Sequence, residues 1–314
     1  MTNFSTHRPL SVAFALALLS RLAGAQINPH ISGVLETYFL THNGVGGAYD
    51  QRSWAELRAR IDNHWSAVWS GYDFQSIGGY DETYARYEID NGSIRAGRLR
   101  TSFGFSDWSE LWYNGFNHLP LVREFNIVGK THLDRDDSGA EVTANFGQLQ
   151  IQAASIDTNL TKCQVGPDRV DHTTATAQYG FGRFIAGAEI LAQNDGSEKV
   201  YGATARYTYP HWLVRAEYFE GVGPNGGEGG YADVTYRIPA LTRTELVARY
   251  EQVRVAGSDS PAQLQTVGIR QILNRYIQVN LNYGWGKELE YSSYAQNLAL
   301  DGWSARVMFQ VQFQ

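Results

Sequence analysis

Residues 303–314 read WSARVMFQVQFQ and alternate between apolar and polar side chains at nearly every position. In an extended strand successive side chains point to opposite faces, so the residues at odd positions would form one apolar face. The stretch 277–285, IQVNLNYGW, repeats the pattern just upstream. We therefore predict two neighbouring strands, each with one apolar and one polar face.

The same alternation recurs along the rest of the chain. Residues 55–62 alternate Ala, Leu, Ala and Ile with Glu, Arg, Arg and Asp, and residues 84–90 and 231–238 behave alike. Such segments predict about sixteen strands, most of about 10–13 residues, near the ~9–11 that a tilted strand needs to cross a bilayer. They lie near residues 31–40, 51–62, 64–74, 81–91, 92–104, 137–146, 148–157, 171–180, 183–193, 198–209, 211–221, 229–238, 242–254, 262–273, 275–285 and 302–314.

The predicted connections alternate in length. This asymmetry is typical of transmembrane barrels, which have tight turns on the periplasmic side and longer loops outside. Short turns are predicted at 63, 91–92, 147, 180–182, 210, 239–241 and 274, and longer links at 41–50, 105–136, 158–170, 222–228 and 286–301.

The first 25 residues differ from the rest of the sequence. A basic start with Arg8, an apolar run over 10–19 and the small residues 23–25 predict a secretory signal peptide, and the mature chain would begin at Gln26. We therefore divide the chain into a signal peptide, 1–25, and one barrel domain, 26–314. No later stretch approaches the ~18 consecutive apolar residues of a membrane helix.

Composition excludes several other classes of protein. A hydrophobic content of 43% is too high for a disordered chain, and a net charge of −6 argues against a nucleic-acid partner. The single cysteine, Cys163, cannot form an internal disulfide, and the scattered histidines offer no metal site. We expect no cofactor.

The make-up of the polar face distinguishes a membrane barrel from a soluble secreted β-protein, which remains the alternative. That face mixes many arginines with acids, and tyrosines at strand ends suggest girdles at a membrane interface. We predict an all-β fold, a transmembrane antiparallel β-barrel of about sixteen strands in the outer membrane of a Gram-negative bacterium, with lipid outside. The last strand resembles the C-terminal signature read by the barrel-assembly machinery, a predicted partner, although Gln314 follows the final aromatic residue.

The longest connection, 105–135, is rich in aromatic residues and is predicted to fold into the barrel. A cap over the outer mouth is the alternative. Within this loop Asp107, Glu110 and Arg123 are candidate constriction residues.

Three arginines precede this loop: Arg95, Arg98 and Arg100. Arg95 has the opposite parity to the other two, so all three face inward only if Gly97 marks a β-bulge. Without it Arg98 and Arg100 would face hydrocarbon, at about 2–4 kcal/mol each near the midplane. We therefore expect the bulge, and expect neutralisation of these two arginines to shift ion selectivity toward cations.

Residues 97–104, GRLRTSFG, resemble the Gly-Arg-Phe-Lys-x-Pro-Phe-Gly strand that leads into the constriction loop of the phosphate-selective porin family. Stretches 134–139, 245–250, 266–269 and 280–283 are similar too. The resemblance implies a trimeric sixteen-stranded barrel that admits phosphate or other small anions. The sequence departs from the family in its lysines, because Lys130, Lys162, Lys199 and Lys287 all fall in predicted loops or strand ends.

We therefore predict a non-enzymatic porin for small hydrophilic solutes or anions, with Arg58, Arg60 and Arg86 on the pore wall beside the three arginines above. The wall arginines could instead pair with acids, as Arg86 with Glu88 or Arg249 with Glu251.

Two other functions stay open. An outer-membrane phospholipase would need an outward-facing Ser–His pair, which we do not find at His172 or His211. A channel specific for a sugar or aromatic acid would use aromatic residues of the loop as a stacking surface for its solute. The other role of these residues is to pack the loop against the wall. They are Trp108, Trp112, Tyr113 and Phe116.

Overall fold

The computed structural model forms strands where the alternation predicts them. It describes residues 28–42, 45–74, 77–100, 103–105, 115–116, 120–124, 136–157, 171–193, 196–223, 226–287 and 302–313. No helix in these ranges is long and apolar enough to cross a membrane. The predicted signal peptide, Asp107 and Glu110 lie outside the described residues.

The described strands match the predicted segments, except that β2 and β4 begin six and four residues earlier and β5 ends four residues earlier than predicted. Their bounds are β1 Asn28–His42, β2 Val45–Arg60, β3 Trp65–Phe74, β4 Ile77–Ile89, β5 Gly92–Arg100, β6 Asp136–Phe146, β7 Leu149–Asp157, β8 Asp171–Phe181, β9 Phe184–Gln193, β10 Glu198–Tyr209, β11 Trp212–Val222, β12 Glu228–Arg237, β13 Thr244–Arg254, β14 Ala262–Ile272, β15 Ile277–Lys287 and β16 Gly302–Phe313. One helical turn, α1 (Leu121–Glu124), lies between β5 and β6.

Each strand pairs antiparallel with the next, and β16 returns to β1. Glu36 on β1 stands opposite Gln310 on β16, and their side chains share a hydrogen bond of 2.9 Å. The described residues thus form a closed barrel of sixteen strands, which confirms the predicted fold. Closure leaves no unpaired sheet edge, as a lipid-crossing sheet requires.

The two ends of the barrel differ. The short-turn end carries the tight connections 61–64, 90–91, 147–148, 182–183, 210–211, 238–243 and 273–276, and the long-loop end carries 101–135, 158–170 and 288–301. The link predicted at 41–50 is wrong, since β1 runs to His42 and β2 begins at Val45. Asn43-Gly44, a dipeptide favoured in two-residue hairpins, was the missed signal.

The outer face of the barrel is apolar and exposed. Leu35, Val267 and Leu281 are each about half exposed there. Aromatic residues gather toward both ends of this face, as in the interface girdles of membrane barrels. Near the short-turn end these include Trp65, Tyr179, Phe181, Tyr207, Tyr209 and Trp212, and between β10 and β16 near the long-loop end they are Tyr201, Tyr218, Tyr250, Tyr283, Trp285 and Trp303.

Candidate functional site

The segment that follows β5 turns into the barrel. Phe103 and, from α1, Leu121 and Val122 are buried in one cluster with inward residues of β9 to β14. The Phe103 and Phe219 rings stack with centroids 5.2 Å apart. The described parts of the predicted internal loop therefore lie inside the barrel, which confirms the inward-folded loop rather than a cap over the mouth. We call the described residues 103–105, 115–116 and 120–124 the in-folded segment.

Three wall carboxylates hold the backbone of the in-folded segment. The Gly104 N–H donates to Glu189, the Phe105 N–H to Glu217, and the Leu121 N–H to Glu251 Oε2, the last at 2.6 Å. The acceptors stand on β9, β11 and β13, on the inner face of every second strand of this wall, and all three are buried. We call Glu189, Glu217 and Glu251 the carboxylate latch.

Arg123 strengthens the latch. Its Nη2 lies 3.0 Å from Glu217 Oε2, and both side chains are fully buried. The guanidinium also lies over the Phe219 ring, 5.0 Å from the centroid. Sequence analysis placed Arg123 correctly in the loop, but its burial makes it an anchor of the in-folded segment rather than a charge exposed to a channel.

A second buried charge network lies next to the latch. Arg215 pairs with Asp233 at 2.7 Å, and Arg249 lies 3.5 Å from Asp233 and 3.8 Å from Glu251. The Arg249 guanidinium is 3.8 Å from the centroid of the Phe116 ring. The predicted pairing of Arg249 with Glu251 is confirmed. Phe116 packs on the wall, which is the packing role left open for the loop aromatics.

Arg95 lies in the middle of β5 and contacts the backbone at the end of that strand. It faces inward as predicted, and its guanidinium binds Glu141 through Nε at 2.8 Å and Nη2 at 2.7 Å. Nη2 also donates to the Arg100 carbonyl oxygen at 3.2 Å, and the guanidinium lies 5.0 Å from the centre of the Tyr84 ring. Arg95 is thus engaged by the wall and by the departing backbone.

The bulge expected at Gly97 is wrong. The register of β5 with β4 and β6 runs without a shift. Leu99 is buried in a cluster with inward Tyr84 and Ile156, so Arg98 and Arg100 alternate onto the outer face. Gly97 serves another purpose, because an added Cβ would lie 2.4 Å from the Thr83 carbonyl oxygen. Its φ of +138° and lack of a side chain allow β4 and β5 to approach closely.

Arg58, Arg60 and Arg86, predicted for the pore wall, are brought together. They line one cavity of about 350 Å³ on the inner face at the short-turn end, with Tyr84 and Glu88 among its other walls. We call it the short-turn cavity. Arg58 Nη2 lies 3.1 Å from Glu56 and Arg86 Nε lies 2.7 Å from Glu88, yet their side chains remain 52% and 36% exposed. Arg58 and Arg86 are therefore both paired with acids and exposed to solvent.

The turn below the short-turn cavity is fixed by Asp62. Its Oδ1 accepts the backbone N–H groups of Trp65 and His64, each at 2.7 Å. These two bonds, that of Trp65 first, lower the pKa of the Asp62 carboxyl below its ordinary value. Arg60 Nε donates to the Asp62 carbonyl oxygen at 3.1 Å, so the turn also positions one arginine of the cavity.

Sequence analysis predicted no contact between the carboxylate latch and the loop. It considered Glu251 only as a partner of Arg249, and Glu189 and Glu217 belong to the acids of the predicted polar face. Their inward parity on strands separated by one neighbour was a usable signal, but their contacts with Gly104 and Phe105 join residues 85 and 112 positions apart. The loop residues Asp107, Glu110, Trp108, Trp112 and Tyr113 lie outside the described residues.

The chain is similar in fold to solved outer-membrane proteins. An anion-selective porin from Comamonas acidovorans superposes with a TM-score of 0.69 at 13% identity, covering 92% of this chain and 100% of that one. The trimer form of OmpT, an outer membrane protein of Vibrio cholerae, gives 0.65 at 13% identity, with 91% and 99% covered. Salmonella typhi OmpF in complex with daunomycin gives 0.66 at 12% identity, with 91% and 97% covered. No protein-family model and no curated protein matches the sequence.

Proposed function

We propose that the chain is a porin of the outer membrane of a Gram-negative bacterium, a water-filled channel for passive diffusion of small hydrophilic solutes. One observation carries the proposal: the closed barrel exposes apolar side chains on its outer face and turns its charged networks inward. A soluble barrel would have the opposite arrangement. About sixteen strands enclose a lumen too wide for wall side chains to fill.

The two ends of the barrel suggest its orientation. Membrane barrels of this kind have tight turns on the periplasmic side, so the short-turn end would face the periplasm and the long-loop end the exterior. The outer face between the girdles would contact lipid. The signal peptide would direct the chain across the inner membrane, and β16 would be read by the barrel-assembly machinery.

The position of the in-folded segment supports a path for solute. Its described parts pack on the inner wall from β9 to β14, and we place the solute path along the opposite side of the lumen. That side carries the short-turn cavity with its exposed arginines. Arginine keeps its charge at any physiological pH and its planar group pairs with carboxylate or phosphate. We propose a weak preference for anions, phosphate among them, although acids share the wall.

The fold neighbours support the same proposal. One is named as an anion-selective porin and another as a trimer form, and we extend both properties to this chain: anion preference and a homotrimer. The enzyme alternative loses support, because His172 is buried on the inner face and His211 lies in the β10–β11 turn. The alternative of a sugar or aromatic-acid channel depends on loop aromatics, of which Phe116 is the one described.

Conductance in planar bilayers tests the proposal. The purified protein is expected to give stepwise ion currents, and a KCl gradient is expected to give a reversal potential displaced toward the chloride equilibrium potential. A parallel lipase assay on the same preparation is expected to show no turnover. Lipid hydrolysis without conductance would reject the channel, whereas conductance with cation preference would reject only the anion preference.

A further inference from the structure

The short turns of the barrel differ in charge from one side of the rim to the other. The four consecutive short turns that lead into β9, β11, β13 and β15 each contain one basic residue and no acid. The acidic turn residues, Asp62 and Asp90, lie in the turns that lead into β3 and β5. We call the four basic residues, all of which are exposed, the basic arc: Arg183, His211, Arg243 and Arg275.

Two arginines of the basic arc stand beside exposed aromatic rings. The Arg183 guanidinium lies 4.2 Å from the centroid of the Tyr209 ring, and Tyr209 stacks on Tyr207 in the outward girdle at the short-turn end. The Arg275 guanidinium lies 4.5 Å from the centroid of the Tyr276 ring, which is exposed in the same turn. Aromatic girdles mark the level of the lipid headgroups, so the basic arc stands at that level.

The third arginine joins two neighbouring turns. Arg243 Nη1 donates to the carbonyl oxygen of Leu273 at 2.9 Å, and Leu273 begins the turn that carries Arg275. Leu241 and Leu273, one in each turn, are about half exposed. Leucines beside arginines suit the boundary of a lipid layer, because the leucine enters the apolar region while the guanidinium reaches the headgroups.

The arginines of the basic arc differ from those inside the barrel in their partners. Arg215 on the inner face pairs with Asp233 at 2.7 Å. Within the part of the chain that the structure describes, no carboxylate lies within ion-pair distance of Arg183, Arg243 or Arg275. A guanidinium has five N–H donors, and a phosphate offers charged oxygens that match their planar arrangement.

We propose that the basic arc binds the phosphate groups of anionic phospholipids. The proposal rests on the orientation proposed above, which places the short-turn end and these lipids in the periplasmic leaflet. A lipid is favoured over a soluble phosphate because the arc stands beside outward rings and leucines that acyl chains would contact. Each arginine near a membrane surface strengthens the attraction to anionic lipid by about fivefold. The arc would therefore hold anionic lipid along one side of the barrel, from β8 to β15.

Native mass spectrometry of the whole protein in detergent micelles tests the proposal. Dioleoyl phosphatidylglycerol is the anionic probe, and dioleoyl phosphatidylcholine, which has no net charge, is the lipid control. Wild type is compared with an arc variant and with a lumen variant of equal charge, whose three arginines line the short-turn cavity. The arc variant combines Arg183→Gln, Arg243→Gln and Arg275→Gln, and the lumen variant combines Arg58→Gln, Arg60→Gln and Arg86→Gln.

We expect wild type to bind phosphatidylglycerol several-fold more tightly than phosphatidylcholine. The arc variant is expected to lose at least about tenfold in affinity for phosphatidylglycerol, and the lumen variant to bind it as wild type does. Equal affinity of wild type for the two lipids overturns the proposal. An equal loss in both variants also overturns it, because net charge alone would then account for binding.

Two further measurements complete the test. Inorganic phosphate added at constant ionic strength is expected to leave the lipid bound, and displacement would overturn a lipid in favour of a soluble anion as the ligand. If the arc variant does not fold, the single variants Arg183→Gln and Arg275→Gln replace it, each with an expected loss of about fivefold, and unchanged affinity in both counts against the arc.

Conductance in planar bilayers separates this proposal from the porin. The arc variant is expected to conduct as wild type does, because its substitutions lie outside the lumen. Wild type that binds phosphatidylglycerol through the arc but gives no current would reject the channel and support the lipid site. Current without a preference for phosphatidylglycerol would reject the lipid site and leave the channel.

Discussion

Replacing Arg123 by Met should loosen the in-folded segment without unfolding the barrel. Methionine keeps much of the side-chain volume but removes the cation that faces Glu217 at 3.0 Å in a fully buried pair. Breaking such a pair by removing one partner costs about 3–5 kcal/mol. Burial of Phe103, Leu121 and Val122 supplies about 1.5–3 kcal/mol each, so the docked state loses a large share of its stability but stays populated.

The loss has a measurable consequence for current. Because about 1.4 kcal/mol is a tenfold change in population, undocking of the segment should become about two to three and a half orders of magnitude more frequent. We expect single-channel records of Arg123→Met to show added transitions to larger conductance, against a quieter wild-type trace. Thermal unfolding of the barrel should change little, since the sixteen-strand ladder does not depend on this pair.

A double variant is the matched control. In Arg123→Met with Glu217→Gln the buried charge is removed together with its partner, which is far less costly than leaving one charge alone. Its current should therefore be quieter than that of the single variant. A single variant as quiet as wild type, or a double variant noisier than the single one, would refute the view that this ion pair holds the segment.

Three further predictions concern other parts of the wall. Arg58→Gln combined with Arg86→Gln should move the reversal potential in a KCl gradient toward cations, whereas Arg183→Gln, in a turn on the outer side of the same end, should not; equal shifts would contradict a role for the short-turn cavity. The pKa of the Asp62 carboxyl is lower in the folded than in the unfolded chain, so its carboxylate stabilises the fold above the unfolded pKa, and this contribution is lost as pH falls through the folded pKa. The difference in melting temperature between wild type and Asp62→Ala should therefore shrink in acid. A difference that stays constant with pH would exclude the charge as the cause. Gly97→Ala should lower the free energy of unfolding in urea by about 1–3 kcal/mol, since a Cβ at φ +138° meets the neighbouring strand. An unchanged midpoint of urea denaturation would show that β4 and β5 can move apart without cost.

The strands could be predicted because their signal is local. Alternation with period two depends on each segment alone, and turn residues such as Asn91-Gly92 mark where a hairpin closes. The alternation failed to predict a strand where glycines interrupted it. Gly46 and Gly47 interrupted the alternation at the start of β2, so a strand end was taken for a loop.

The site was harder to predict because it depends on distant contacts. Parity placed Arg95 on the correct face, and composition indicated that the aromatic loop must pack on something. Which wall it meets is decided by Glu189, Glu217 and Glu251, whose partners lie far away in sequence. We expected a bulge at Gly97 because Arg98 and Arg100 would otherwise face lipid. The unbroken register shows that β5 carries both arginines outward without a bulge.

The seam between β1 and β16 constrains the order of assembly. Glu36 and Gln310, which meet there, are 274 residues apart, so this contact is among the slowest for the chain to find. The surface that receives residues 103–105 belongs to β9 through β11, made later in synthesis than the segment itself. The in-folded segment can therefore dock only after the strands that follow it have formed. It is enclosed in the barrel when β16 pairs with β1.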